Sequence, residues 1–131
     1  MVKNFFLATA ALELLTSLAL LFTPSLTTSL LFGVPLDTTV AIAVARITGA
    51  ALFTITIACW YAHTDFQSRT AIGLLVAMLF YNVAVILLFG YSALAYSLAG
   101  IVFFPAIVAH VLLSALGIVC LRRIFNASLS K

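Results

Sequence analysis

The stretch FFLATAALELLTSLALLF, from Phe5 to Phe22, decides the class of this protein. Its length is close to the ~20 apolar residues that a helix needs to cross the hydrocarbon core of a bilayer. A secretory signal has a shorter apolar core of about 7–15 residues, and this run also contains an acid, Glu13. We therefore predict that the run is a membrane span.

Three more apolar runs of similar length follow, at Val40 to Tyr61, Thr70 to Phe89 and Leu98 to Leu121. The composition agrees with them, because 66% of the residues are hydrophobic and only 7% are charged. The tails and loops are too short for a soluble domain. These features predict an all-α polytopic membrane protein, an antiparallel bundle of four transmembrane helices that forms a single domain over residues 1–131.

The basic residues outside the spans predict the orientation of the bundle. They are Lys3, Arg69, Arg122, Arg123 and Lys131. The loops after the first and third spans carry none, so the positive-inside rule places both termini in the cytoplasm. The net charge of +3 then reflects topology and contact with anionic lipid, and it does not indicate nucleic acid. The lipid bilayer is the first predicted partner.

The connections also contain helix signals. Pro24 is suited to the first turn of a short outer helix that Gly33 ends, and this segment is predicted to lie in the membrane interface. Asp37 is the predicted N-cap of the second span. The third span is predicted to begin at Asp65, because residues 64–67 fit a capping box.

Each span carries one strongly polar residue: Glu13, Arg46, Asn82 and His110. A charge at the bilayer centre costs about 2.5–3.5 kcal/mol, so such residues usually face a partner or a cavity. At a rise of 1.5 Å per residue, all four lie within roughly 6 Å of mid-membrane. We predict one polar cluster inside the bundle, with Glu13 paired to Arg46. Tyr81 lies at the same depth but is excluded, because it points about 100° away from Asn82.

The second span has a stripe of small residues that contains Arg46. Ala43, Arg46, Ala50 and Thr54 share one helix face, where another helix can approach closely. This stripe predicts that the face with Arg46 packs inside the bundle.

Two interpretations of the polar cluster stay open. It is either a hydrogen-bonded network that fixes helix packing, or the lining of a site for a lipid-like or isoprenoid headgroup, a quinone, or a proton. No metal or other cofactor is predicted apart from a bound lipid or quinone, because His63 is too far in depth from His110 to share an ion with it. No motif for a catalytic nucleophile is present, and enzymatic activity is left open.

Three short motifs carry a family resemblance. LFGVPLD at residues 31–37, ARITGAA at 45–51 and ACW at 58–60 resemble the small bacterial four-helix membrane proteins of the DoxX-like and related uncharacterised families. The membrane Arg before Gly-Ala-Ala in those families corresponds to Arg46 here. The resemblance implies the fold and a bacterial inner-membrane location, and it implies no reaction, because most members have no assigned activity.

The functional prediction is a small membrane protein that binds a lipid or quinone-type ligand, or that is an accessory subunit of a larger membrane complex. Two alternatives belong to other classes. A small proton-coupled transporter of the multidrug-exporter type would use Glu13, although pairing with Arg46 would neutralise it. A membrane isomerase resembling the EXPERA bundles would use the polar cluster. The predicted protein partner is either another subunit or a second copy of the chain.

Overall fold

A computed structural model describes residues 1–129 of the chain, with side chains up to Asn126. Lys131, which contributed to the predicted orientation, lies outside the described residues. Within the described range the chain is helical, and the helices are α1 (Val2–Phe22), α2 (Pro24–Phe32), α3 (Thr39–Ala62), α4 (Arg69–Tyr96) and α5 (Phe103–Leu129).

Four helices of the described range are long and apolar enough to cross a membrane: α1, α3, α4 and the Phe103–Asn126 part of α5. This confirms the predicted all-α fold with four spans. Because the chain crosses the bundle four times, Met1 and the end of α5 lie on the same side. We call this side the terminal end, and the opposite side the α2 end.

The bundle consists of two helical hairpins. Helix α1 packs mainly on α3, and α4 packs mainly on α5, while α1 also contacts α5. The α1–α3 contact is close at Gly49, where an added Cβ would lie 3.0 Å from the Ser17 carbonyl oxygen. Small residues allow membrane helices to approach in this way. Helices α3 and α4 pack against each other less extensively, so α1 is the central element.

The α2 end is closed by the short helix. Gly33 ends α2 with φ +81°, as predicted, because a left-handed C-cap favours glycine. The backbone N–H of Gly100 then donates to the Leu31 carbonyl at 2.8 Å, and that of Val102 donates to Leu30 at 2.9 Å. An added Cβ on Gly100 would lie 2.2 Å from the Leu30 oxygen, so this backbone contact requires glycine.

Two layers of aromatic side chains lie near the ends of the bundle. At the α2 end the ring of Phe89 stacks on Phe103 with centroids 5.3 Å apart, and Phe32 packs edge-on to both. At the terminal end Phe5 and Phe6 are fully buried. The free cysteines Cys59 and Cys120 are buried in this same region, where they belong to the hydrophobic core.

Two predicted helix starts are wrong. The cap of α3 is Thr38 rather than Asp37, because the Thr38 hydroxyl accepts from the Ala41 N–H at 3.1 Å. Similarly, α4 does not begin at Asp65. Residues 65–68 form a turn, and Ser68 caps the helix by accepting from the N–H of residue 71 at 3.1 Å.

Candidate functional site

Asn82 and His110, two of the four residues predicted to form one cluster, bond to each other at the α4–α5 interface. Asn82 Nδ2 donates to the Met78 carbonyl at 2.6 Å, and Asn82 Oδ1 lies 2.7 Å from His110 Nδ1. A carbonyl only accepts, so the amide orientation is fixed and His110 Nδ1 must be the donor to Oδ1. In the neutral ring, Nε2 is then the unprotonated nitrogen, which can accept a hydrogen bond or a proton.

Glu13 joins this pair through Tyr81. The Glu13 side chain is 1% exposed, and its Oε2 accepts from the Tyr81 hydroxyl at 3.3 Å. The Tyr81 ring packs edge-on to the His110 ring, with centroids 5.9 Å apart. The other carboxylate oxygen, Oε1, has no hydrogen-bond partner in the part of the chain that the structure describes. We call Glu13, Tyr81, Asn82 and His110 the polar cluster.

The exclusion of Tyr81 from the cluster is therefore wrong. Neighbouring helical residues do point about 100° apart, but the cluster lies between three helices. Asn82 bonds to α5 while Tyr81 bonds to α1. Adjacent positions on α4 therefore serve two different neighbours, and a Tyr next to a buried Asn was the available signal.

Arg46 does not belong to the cluster, which corrects the predicted pairing with Glu13. Arg46 is exposed on the surface of the bundle. Since Gly49 lies against Ser17 and Leu20, antiparallel packing places Arg46 beyond that level, on the order of 12 Å along the axis from Glu13. Register and rotation of α3 thus separate the two charges.

The small-residue stripe of α3 is also on the outside, contrary to prediction. Its members Ala43, Arg46, Ala50 and Thr54 are all exposed. The face that packs inside is made by Gly49, Leu52, Thr56 and Cys59. Both faces contain small residues at helical spacing, so spacing alone did not distinguish them.

Buried hydroxyl groups extend the polar cluster along two helices. On α1, Thr9, Glu13 and Ser17 recur every four residues and are each at most 1% exposed. Ser17 donates to the Leu14 carbonyl at 2.8 Å. Thr9 Oγ1 and Ser114 Oγ, the latter one turn from His110, have no partner within the described residues. Thr9 was not predicted from the sequence, although its spacing of four residues from Glu13 places it on the same helix face.

The site therefore offers a carboxylate oxygen, an imidazole and two hydroxyl groups that are directed into the bundle. A buried polar group without a partner costs about 1–3 kcal/mol, and the lipid hydrocarbon around the spans offers no water to satisfy it. Metal binding is not indicated, because the described residues contain no group of three or more His, Cys, Asp or Glu side chains that could hold an ion. These groups can donate and accept hydrogen bonds, and the carboxylate and the imidazole can also bind a proton.

A separate concavity of about 520 Å³ lies at the terminal end. It is formed by the end of α3, the following turn and the start of α4, with Tyr61, Asp65 and Leu74 among its lining residues. The polar cluster does not contribute to this lining. Loose packing of α3 against α4 explains it.

No family model matches the chain, and no characterised protein or solved structure is significantly similar to it. The resemblance to DoxX-like proteins therefore stays a prediction. The apolar helices identify the chain as an integral membrane protein, and its function must be inferred from the polar cluster.

Proposed function

We propose that the protein binds a membrane-soluble ligand with a hydrogen-bonding headgroup, of the quinone or isoprenoid-lipid type, at the polar cluster. The supporting observation is that only one of the two carboxylate oxygens of Glu13 has a hydrogen-bond partner among the described residues. Its carboxylate is buried, one oxygen accepts from Tyr81, and the other has no partner among the described residues. Buried polar atoms nearly always have a partner, so an exception indicates a molecule that the site holds.

The chemistry of the cluster suits a quinone headgroup in both redox forms. A quinone carbonyl accepts a hydrogen bond from Nε2 of protonated His110, because the Tyr81 hydroxyl already donates to Glu13. The hydroxyl of the reduced form donates to Glu13 Oε1 or to His110 Nε2. Asn82 keeps His110 in the required tautomer through the 2.7 Å bond. The residues bind and orient the headgroup, and no electron transfer by the protein is required.

Exposure of the cluster supports access from the lipid. His110 is 8% exposed, and Tyr81 is half-buried. Many large apolar side chains of the spans are exposed, and an isoprenoid tail can lie along them outside the bundle. The headgroup would enter between helices while the tail stays in the bilayer.

Binding of decylubiquinone to the detergent-purified protein, measured by native mass spectrometry, tests this proposal. We expect binding by the natural sequence and at least tenfold weaker binding by Glu13→Gln and His110→Ala, which corresponds to about 1.4 kcal/mol. Arg46→Gln is the matched control, because it changes a charge in a span outside the cluster. Equal losses in all three variants, or no binding by the natural sequence, would contradict a quinone site.

Proton-linked transport is a second candidate. Glu13 contacts Tyr81 rather than Arg46, so the neutralisation expected from the sequence does not occur, and an unneutralised membrane carboxylate is typical of proton-coupled sites. The test is efflux of a cationic dye from proteoliposomes under a pH gradient. Efflux that Glu13→Gln abolishes and Arg46→Gln preserves would support transport over ligand binding alone.

An accessory role has separate support in α3. A charged residue within a span usually faces a partner, and Arg46 lies exposed on a stripe of small residues that permits close helix contact. Introducing Ala50→Cys tests whether the partner is a second copy. Disulfide-linked dimers in membranes would indicate a homo-oligomer, and a stoichiometric protein that co-purifies with the natural sequence but not with Ala50→Trp would indicate another subunit.

A further inference from the structure

We propose that a cluster of bound water molecules occupies the buried interface between Thr9 and Ser114, one turn from Glu13 and His110 toward the terminal end, and that it also contacts Glu13 Oε1. This water site goes beyond the proposed function. A ligand hydroxyl that donates to Glu13 Oε1 would displace the water from that oxygen, while the water between Thr9 and Ser114 would stay.

The first step concerns the hydroxyl groups. Ser and Thr side chains in helices commonly donate to a carbonyl three or four residues earlier, and many in this chain do. They are Thr16, Ser17, Thr27, Thr28, Thr48, Thr54, Thr56 and Ser92. Thr9 and Ser114 depart from this pattern, since their hydroxyl oxygens are buried without a partner in the described part of the chain. Two such exceptions in one interface indicate a common cause.

The second step is their shared level in the bundle. An added Cβ on Gly117 would lie 3.2 Å from Phe5 Cε2, which fixes the register of α1 against α5. Thr9 follows Phe5 by four residues, and Ser114 precedes Gly117 by three. Because α1 and α5 are antiparallel, both steps lead toward the α2 end. One helical turn is 3.6 residues, so Thr9 and Ser114 lie at the same level.

The third step is the neighbouring level. Glu13 follows Thr9 by four residues, and His110 precedes Ser114 by four, so each pair shares a helix face. Glu13 Oε1 is the third buried atom without a partner in the described residues. The three atoms thus belong to two adjacent turns of one interface, and together they provide two donors and three acceptors. Water binds where several polar groups of this kind converge.

The ends of this interface are closed by apolar groups. Toward the terminal end, Phe5 and Phe6 are fully buried, and toward the α2 end the rings of Phe89 and Phe103 stack. The water would therefore be enclosed rather than part of a channel. It would donate a hydrogen bond to the Glu13 carboxylate.

The unfolding temperatures of Thr9→Val, Ser114→Ala and the double variant test this proposal. If shared water bonds both hydroxyls, each substitution lowers the unfolding temperature, and the double variant loses less than the sum because the second change removes an already broken network. Thr9→Ser keeps the hydroxyl and should behave like the natural sequence. Thr48→Val, which removes an exposed hydroxyl bonded within its own helix, should add independently to Thr9→Val.

A dry interface gives the opposite result. Removing an unpaired buried hydroxyl would then raise the unfolding temperature, and the two effects would be additive, which would overturn the proposal. If the variants fail to fold, a measurement on the natural sequence tests the proposal instead. Infrared spectra should contain O–H stretching bands of enclosed water that shift in heavy-oxygen water, and their absence would equally overturn it.

Discussion

Tyr81 and Asn82 are adjacent in α4 but bond to opposite neighbours, Glu13 of α1 and His110 of α5. This divergence makes α4 the element that connects the two hairpins at mid-depth. Helix α1 contributes the acid Glu13, and α5 contributes the base His110. Helix α4 bonds to the acid through Tyr81 and to the base through Asn82. The relationship leads to specific predictions for substitutions at these positions.

Tyr81→Phe should destabilise the protein by about 1–3 kcal/mol, because it removes the hydrogen bond to Glu13 Oε2 and leaves that buried oxygen without a donor. Unfolding in detergent, followed by circular dichroism, measures the change. Tyr91→Phe is the matched control, since the Tyr91 hydroxyl contacts only Tyr96 at an exposed position among the described residues. A Tyr81→Phe protein as stable as the control would show that Glu13 is satisfied by another group.

Asn82→Ala and His110→Ala should be coupled. The bond between Asn82 Oδ1 and His110 Nδ1 is buried, and either single change strands one partner at a cost of about 1–3 kcal/mol. The double variant should therefore be less unstable than the sum of the two singles, by about 0.5–3 kcal/mol. The measurement is a double-mutant cycle of unfolding free energies. Additive losses would mean that the bond does not contribute to stability.

Glu13→Gln and Arg46→Gln should be independent of each other. The two side chains lie on the order of 12 Å apart along the bundle axis, and effects of separated sites usually add to within about 0.3–0.5 kcal/mol. Arg46→Gln alone should change stability by no more than about 0.5 kcal/mol, as expected of an exposed position. A double variant more stable than Glu13→Gln alone would show that Glu13 and Arg46 interact, as the sequence predicted.

The orientation of the bundle can be tested with membrane-impermeant thiol reagents on intact cells. The basic residues predict that the α2 end faces outward. Cysteine introduced at the exposed Val34 or at Ser97 should therefore react, while cysteine at Gln67, in the turn before α4, should react only after permeabilisation. The native thiols Cys59 and Cys120 are buried, which keeps the background low. Labelling at Gln67 alone in intact cells would show that the bundle has the opposite orientation.

The architecture could be predicted from the sequence because it depends on run length. Four apolar stretches of the required length lead to four spans, and Pro24 and Gly33 mark the short helix by their backbone geometry alone. Asn82 and His110 were also predictable, since an amide and an imidazole inside spans require a partner. These signals are local and do not depend on how one helix is rotated against another.

The partner of Glu13 could not be predicted, because it depends on helix rotation and register. Gly49 sets the rotation of α3 against α1, and this places Arg46 outside. The composition of α3 contains no information on that choice, since small residues occupy both faces. The helix caps show a similar limit. Thr38 and Ser68 are preferred over the nearby acids because the exact start of each helix depends on the preceding turn.

Because the ends of the bundle are closed, the concentration of a ligand in the membrane would set the occupancy of the site. Phenylalanine rings close both ends of the bundle, so a ligand would reach Glu13 and His110 by passing between helices from the lipid. A ligand on this route equilibrates with the membrane before it meets the protein, so its mole fraction in the lipid, rather than its aqueous concentration, sets the occupancy. Affinities measured in different amounts of lipid would then agree only when they are expressed per lipid, and strongly water-soluble analogues of the headgroup would bind poorly regardless of their fit.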